Sequence, residues 1–310
     1  MVCHYLVDRL NYYFSDDNPI AYVVPSDLTT NQYTLSAQYN TPVLSQVDER
    51  WASRDDFIFI VPEGLVGTIS SFKRVVRWIM FFLVNDFESY QFKPNDEYIA
   101  CYSQGICTQF DDHWHKHPLR VIDLNWDVLD PVLDTNRVRD IDVVYFKPDS
   151  RKRTWIDSRG IKSNLDFDSY EYILTSSYEL MNKTLVRMDP SLGKRERLEL
   201  LSRSNTFISL DPATFRSVEA AMVGCLSIVI PVSGVSKSEW LSVSYAPEYL
   251  QYGIAYGFDD LNHARATINL VLSNLHEQDK KTKEILVKFI IDIKRYFNLH
   301  PDFLKDKLYI

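Results

Sequence analysis

The sequence predicts a two-lobed α/β protein built on parallel sheets, and three observations carry that expectation. Its 310 residues exceed one comfortable hydrophobic core and suit two domains of about 150 residues each. Short apolar runs bounded by Asp, Asn and Pro, such as FIFIV at residues 57–61, suit strands buried on both faces, as parallel sheets require. Finally TFISL, the polar turn DPAT, the helical stretch FRSVEAAMVG and LSIVIP follow one another over residues 206–231. That succession is a strand, helix, strand unit, whose normal form is a right-handed parallel crossover.

Taken in order, residues 20–24 and 57–61 read as strands, the second ending in the turn PEG. From Ser70, SSFKRVVRWIMFF opens with a capping serine and spaces Phe72, Val75, Val76, Ile79 and Met80 at helical intervals. Lys73, Arg74 and Arg77 fall on its other faces, so a helix is expected there. Residues 96–103 and 119–124 read as further strands, and DPVLDTNRVRD as a polar, turn-rich stretch with a domain boundary near residue 137. Beyond it IDVVYFK, residues 141–147, alternates like a strand, residues 172–176 form a shorter strand candidate, and a polar helix spans 193–204. Helical patterning fills residues 260–298, with a charged break at HEQDKKTKE. The expected domains are residues 1–137 and 138–290, with 291–310 a C-terminal helix packing back on the first domain.

Composition narrows the function. With 45% hydrophobic, 14% aromatic and 25% charged residues, the chain has the balance of an ordered globular protein. A formal net charge of -8 would repel a phosphate backbone, so no nucleic-acid partner is expected. None of the nine glycines forms GxGxxG or GxxxxGK, which removes the glycine-rich dinucleotide and P-loop classes. The longest apolar run, residues 78–84, is far short of the roughly 20 residues that a spanning helix needs. The opening MVCHYLVDRLNYYF carries Asp8 and Arg9 within its apolar stretch and lacks a small-residue cleavage site, so it does not read as a signal peptide. Cys3, Cys101, Cys107 and Cys225 contain no CxxC pair, and Cys225 lies in an apolar run where a buried thiol is ordinary. A reducing cytosol is the expected compartment.

The chemistry is expected where a strand end leads into a helix, since ligands of open α/β sheets bind beyond the carboxyl ends of strands. Residues 211–214 occupy that position, and the first helical turn would offer free backbone N–H groups and a positive dipole end to a diphosphate. Thr214 would add a hydroxyl, and Glu219, eight positions after Asp211, would accept hydrogen bonds from the hydroxyls of a ribose or sugar ring. Spacing alone equally describes Asp211 as a helix cap and Glu219 as a solvated helix residue.

The run DPATFRSVEAAMVGCLSIVIP is similar to the donor-binding element of GT-B glycosyltransferases, in which an acidic residue, seven intervening residues and a glutamate precede a small-residue helix, a glycine and a strand. HYLVDRLN, NTPVLSQVDE, DDFIFIVPEGLVG with KRVVRW, PVSGVSKSEW and YGIAYGFDDLNHA extend the likeness in order along most of the chain. Together they resemble bacterial surface-polysaccharide or lipopolysaccharide glycosyltransferases. The resemblance implies two Rossmann-like domains facing a central cleft and a cytoplasmic enzyme, at the inner membrane face when peripherally associated. It implies metal-independent transfer of a hexosyl or deoxyhexosyl group from a nucleotide sugar to a glycan or lipid-linked glycan, with no cofactor beyond the donor. By position, Asp211 would approach the donor sugar, Glu219 the ribose, and Gly224 would close the helix. The first position is Asp where retaining families usually carry Glu, and the shorter side chain alters its reach.

A departing nucleoside diphosphate needs cationic partners. The candidates are Lys147, preferred because it ends a strand, with Arg151, Lys152 and Arg153, and then Lys194, Arg195 and Arg197 before the donor element. Lys147, Arg151, Lys194, Pro212, Thr214 and Glu219 form the expected donor-binding set. On the acceptor side, Glu63 follows a first-domain strand and is the candidate general base, beside Gly64 and Gly67, with Arg74 and Arg77 available to an anionic group. His113, His115 and His117 alternate beside Asp111 and Asp112 and would share one face of a strand. Their flanks read as a loop, so one of them as a base is weighed but no metal site is assigned. Two other readings remain open at this level, a non-catalytic GT-B-like binding or scaffold protein and a nucleotide-sugar epimerase.

Overall fold

The computed structural model describes residues 2–15, 19–23, 39, 42, 57–63, 72–80, 92–93, 96–122, 124, 126–133, 138–150, 152–156, 162–176, 180–244, 247–299 and 308–309. Two units divide the chain, Met1–Asp123 with Lys280–Ile310, and Leu124–Asp279. The divisions thus fall at 123/124 and 279/280, where the sequence suggested 137 and 290. In chain order the strands are β1 Ala21–Tyr22, β2 Phe59–Pro62, β3 Val75–Ile79, β4 Glu97–Cys101, β5 Lys116–Pro118, β6 Ile141–Phe146, β7 Lys152–Ile156, β8 Lys162–Asp166, β9 Leu185–Arg187, β10 Ser204–Ser209, β11 Leu226–Val229, β12 Ile254–Tyr256 and β13 Leu308–Tyr309.

The first unit holds one parallel sheet in the order β1-β13-β2-β3-β4-β5. One face is covered by the helices Val2–Phe14 and Thr282–Tyr296, whose Leu6, Val7, Leu10, Leu286, Phe289, Ile290 and Ile293 share a core with Val76, Trp78, Tyr98 and Ala100. On the opposite face Ile79, Ile99 and Cys101 pack with Ile106, Cys107 and Phe110. β3 is therefore buried on both sides, and this explains why VVRWI is a strand where helical spacing predicted a helix. Arg77 and Glu97 lie on this second face as a buried ion pair, with Nε and Nη2 each 3.1 Å from a carboxylate oxygen. Asn11, on the first helix, fixes the start of β1 by accepting from Ile20 N and Ala21 N and donating to Ala21 O, each at 2.9 Å. The strand expected at 119–124 lies earlier, at Lys116–Pro118. Cys101 and Cys107 are joined by a disulfide with Cα atoms 5.4 Å apart, a pairing that the absence of a CxxC spacing did not suggest and that runs against the reducing compartment expected from the cysteines. Cys225 is buried, with its thiol pushed up to about 12 by desolvation.

The second unit holds a parallel sheet in the order β12-β11-β10-β6-β9, with β7 and β8 forming a separate antiparallel pair. The expected strand, helix, strand unit is present as β10, the helix Arg216–Met222 and β11, the two strands paired in parallel. Gly224, at φ 72°, turns the chain out of that helix, and a Cβ there would stand 3.0 Å from Arg139 Nη2. Of residues 172–176, read as a strand candidate, 172–175 belong instead to the helix Phe167–Thr175 and Ser176 caps its end, while Asp166 caps its start by accepting from Asp168 N and Ser169 N. The polar helix is Lys194–Ser202. No helix among the described residues is long and apolar enough to cross a membrane.

Candidate functional site

Numbered within its own unit, the second sheet runs 2-1-3-4-5 from β9 to β12. From β6 the chain moves outward to β9, then returns to β10 on the other side and continues to β11 and β12. The reversal lies between β6 and β10, and the crevice beyond the carboxyl ends of such a pair is the ligand position of doubly wound sheets. Two expected segments stand there, Lys147 directly after β6 and residues 211–214 directly after β10.

The loop after β10 is shaped by its own side chains. Ser209 Oγ donates to Asp211 O at 2.7 Å and accepts from Asp211 N at 3.2 Å. Asp211, 6% exposed, accepts from Ala213 N at 2.9 Å, and Thr214 Oγ1 accepts from Arg216 N at 3.3 Å. Asp211 and Thr214 thus occupy two of the backbone amides that the sequence assigned to a diphosphate. Pro212 is buttressed from behind: its carbonyl accepts from Trp240 Nε1 at 2.9 Å, and the buried Trp240 ring stacks on Tyr256 with centroids 4.9 Å apart. Tyr256 in turn accepts at its hydroxyl from Val232 N at 2.9 Å. The segments PVSGVSKSEW, residues 231–240, and YGIAYGFDD, residues 252–260, thereby meet behind the loop.

Glu219 is 4% exposed, and both of its oxygens are bound by Arg197, through Nε at 3.0 Å and Nη2 at 2.8 Å. Arg197 also donates to Leu192 O at 2.7 Å. Glu219 is therefore not a solvated helix residue; it is half of a buried, bidentate charge pair. Lys147 donates to Asp168 and, at 2.7 Å, to Glu171, whose other oxygen accepts from Tyr145 Oη at 2.9 Å. These carboxylates, Asp168 foremost, hold the lysine's pKa above its usual value. Lys194 donates to Leu124 O at 3.0 Å, and Arg195 pairs with Glu199 on an exposed helix face. Arg151 lies outside the described residues, as do the side chains of Lys152 and Arg153.

In the first unit, Glu63 stands at the carboxyl end of β2 and accepts from Met80 N, just past β3, at 3.2 Å. Burial raises its pKa, an effect that its backbone hydrogen bonds oppose. Gly64 and Gly67 lie outside the described residues. Arg77 is tied to Glu97 inside the sheet, which removes it from the expected acceptor contacts. The three histidines separate: His113 is exposed beside Asp111, His115 packs on Tyr296 with centroids 4.7 Å apart, and His117 pairs with Asp292 at 2.9 Å. Among the described residues no group of three or more His, Cys, Asp or Glu is arranged to hold a metal ion.

No family model, curated protein or solved structure matches the chain. Sequence reasoning missed two arginines of the second unit, of which Arg216 alone belongs to the site. Arg139 donates at the far ends of the strands to Leu201 O, Ser204 O and Val223 O, the last at 2.7 Å, and helps line a cavity of about 250 Å³ there. Arg216 lies with its guanidinium 3.7 Å from the Phe146 ring centroid. Arg139 precedes β6 and Arg216 opens a helix, and a lone arginine at either place carries no spacing signal.

Proposed function

We propose that the chain is a GT-B-type glycosyltransferase that uses a nucleotide sugar, with the second unit as its donor-binding half. The observation that carries this reading is the position of the Asp211 loop at the β6/β10 reversal of a parallel sheet, where a nucleotide is expected on topology alone. The sequence likeness over residues 211–231 concerns the same loop. In the reaction, the bond from the sugar's anomeric carbon to the diphosphate oxygen breaks and its electron pair leaves with the diphosphate. The hydroxyl of a glycan or lipid-linked glycan forms the new bond and loses its proton to a base.

Asp211 is the side chain beside the donor sugar in this scheme. Pro212 and Thr214 set the loop, and Lys147, Arg151 and Lys194 are the basic residues of the donor half. Glu219 contributes the lone pairs that Arg197 leaves unused, since each carboxylate oxygen has two. Glu63 is the candidate base; a carboxyl whose pKa is raised by burial is better matched to accepting a proton near neutrality.

The test is a thermal-shift screen of the full chain with nucleoside diphosphates and nucleotide sugars, followed by hydrolysis and transfer assays with the donors that bind. Stabilisation by one nucleotide series and release of its diphosphate is the expected result. A chain that binds a nucleotide sugar and never cleaves it, with or without glycan acceptors, would instead be a binding protein. Interconversion of the donor without transfer would make it an epimerase.

A further inference from the structure

We propose that Arg216 is an anion-binding residue that takes a phosphoryl oxygen of a nucleoside diphosphate at the β6/β10 reversal, a role that rests on the donor-site reading above and specifies its ligand contact. Arg216 stands where three neighbouring strand ends converge. Its guanidinium stacks on Phe146, the last residue of β6, and its Nη2 donates at 3.1 Å to Pro190 O in the segment after β9. Asp211, after β10, lies within its electrostatic reach. Its Nη1 is buried and has no hydrogen-bond partner among the described residues.

An arginine in that condition is unusual. Buried donors are nearly always satisfied, and leaving a charged group's N–H unmatched costs more than a typical hydrogen bond contributes. Guanidinium cannot escape by losing its proton. Burial foremost, and then the adjacent Arg197, push the Arg216 pKa downward, while the carboxylates of Glu219, Asp211 and Asp149 oppose the shift without reversing it. Arg197 is satisfied by Glu219 and Leu192 O, so Arg216 is the member of the pair left with an open donor. The loop's own amides at Ala213 and Arg216 are already bound by Asp211 and Thr214, which shifts the task of meeting an anion from backbone to side chain. An anionic oxygen supplies the missing acceptor and separates the two like charges. Phosphate suits the planar fork, and the Phe146 face fixes its plane.

The experiment compares the full-length wild type with Arg216→Met and Arg216→Lys by titration calorimetry against nucleoside diphosphates, the matching nucleosides and inorganic pyrophosphate, with melting temperatures of the unliganded proteins alongside. Arg216→Met is expected to weaken nucleoside diphosphate and pyrophosphate roughly ten- to a hundredfold and to leave nucleoside affinity unchanged. Its unliganded melting temperature should be unchanged or higher. Arg216→Lys, which keeps the charge and loses the fork, should bind diphosphate with intermediate affinity; it also serves where the methionine variant folds poorly. The proposal is overturned if both variants bind diphosphates as the wild type does, if nucleosides and diphosphates weaken equally, or if the wild type binds neither pyrophosphate nor any nucleoside diphosphate. Arg216-dependent pyrophosphate binding without turnover of any nucleotide sugar would keep this site and remove the glycosyltransferase. Turnover with an unaltered KM in both variants would do the reverse.

Discussion

Glu219 and Arg197 show at the scale of single residues how a binding role and a structural role become entangled. Their side chains are 5% and 17% exposed and joined by two hydrogen bonds, so removing one partner leaves the other desolvated and unpaired. Glu219→Ala is expected to cost about 3 kcal/mol in chemical denaturation, and adding Arg197→Met should recover most of it. A single variant as stable as the wild type would show that the pair is not desolvated in solution. Loss of nucleotide binding by Glu219→Ala alone would therefore not identify a ribose contact; the double variant, refolded and still unable to bind, would. Glu63 permits a cleaner separation. Its folded-state pKa is raised by burial, so the native state holds its proton more tightly than the unfolded chain. Stability contributed by that proton declines as pH rises from the ordinary carboxylate pKa through the raised one. Glu63→Gln keeps an oxygen for Met80 N and removes the charge. It should flatten that pH dependence and leave neutral-pH stability equal or higher, while sugar transfer falls. Melting curves over an acidic-to-neutral series together with initial rates check both halves. The sequence made Asp211, Glu219, Lys147 and Glu63 visible because acidic and basic residues at strand ends stand out. The Arg197 pairing, the carboxylates on Lys147 and the Arg216 stack were hidden, since each joins side chains brought together only by tertiary packing.

At the scale of elements, β3 marks where periodicity misleads. Val75, Val76 and Ile79 satisfy a helical spacing, yet they also fill both faces of a central parallel strand, and packing between two layers decides the outcome. Arg77 sharpened the error by reading as the polar face of a helix, when its charge is neutralised by Glu97 on β4. Arg77→Leu is expected to destabilise the first unit by about 3–5 kcal/mol, with Arg77→Leu/Glu97→Leu close to the wild type. Urea midpoints of the two variants test this, and a single as stable as the double would contradict it. The elements of the second unit were more legible, because β10, its helix and β11 follow directly in sequence with a capping turn between them. Residues 172–176 were not, since Tyr172 and Ile173 are apolar but exposed, and local capping by Asp166 outweighed their β-propensity. Arg139 acts at this same scale: it supplies donors to carbonyls near the ends of two helices and at the start of β10. Arg139→Met should lower the melting temperature with a loss of about 1–3 kcal/mol, and an unchanged melting temperature would show water replacing the guanidinium.

For the whole molecule, the order of the chain makes the two units unequal in what they need. The second, Leu124–Asp279, is continuous in sequence, and all the strands of its sheet come from within that span. The first is closed by residues from the far end of the chain. Leu286, Phe289, Ile290 and Ile293 enter its core fully or almost fully buried, and β13 lies between β1 and β2. The sequence suggested a C-terminal helix, residues 291–310, packing back on the first domain; the helix that does so is Thr282–Tyr296, and its partners in the core were hidden because hydrophobic periodicity records which face is buried and not against what. Truncation after Asp279 should therefore unfold the first unit selectively. In hydrogen exchange, amides of β2, β3 and β4 would lose protection while those of β6, β10 and β11 keep theirs. Supplying residues 280–310 as a separate peptide should restore the protection, since most of the missing surface is one apolar helix face. Equal loss in both sheets would mean that the second unit also depends on the C-terminal segment. Full protection of the first sheet after truncation would mean that its core closes without the helix Thr282–Tyr296.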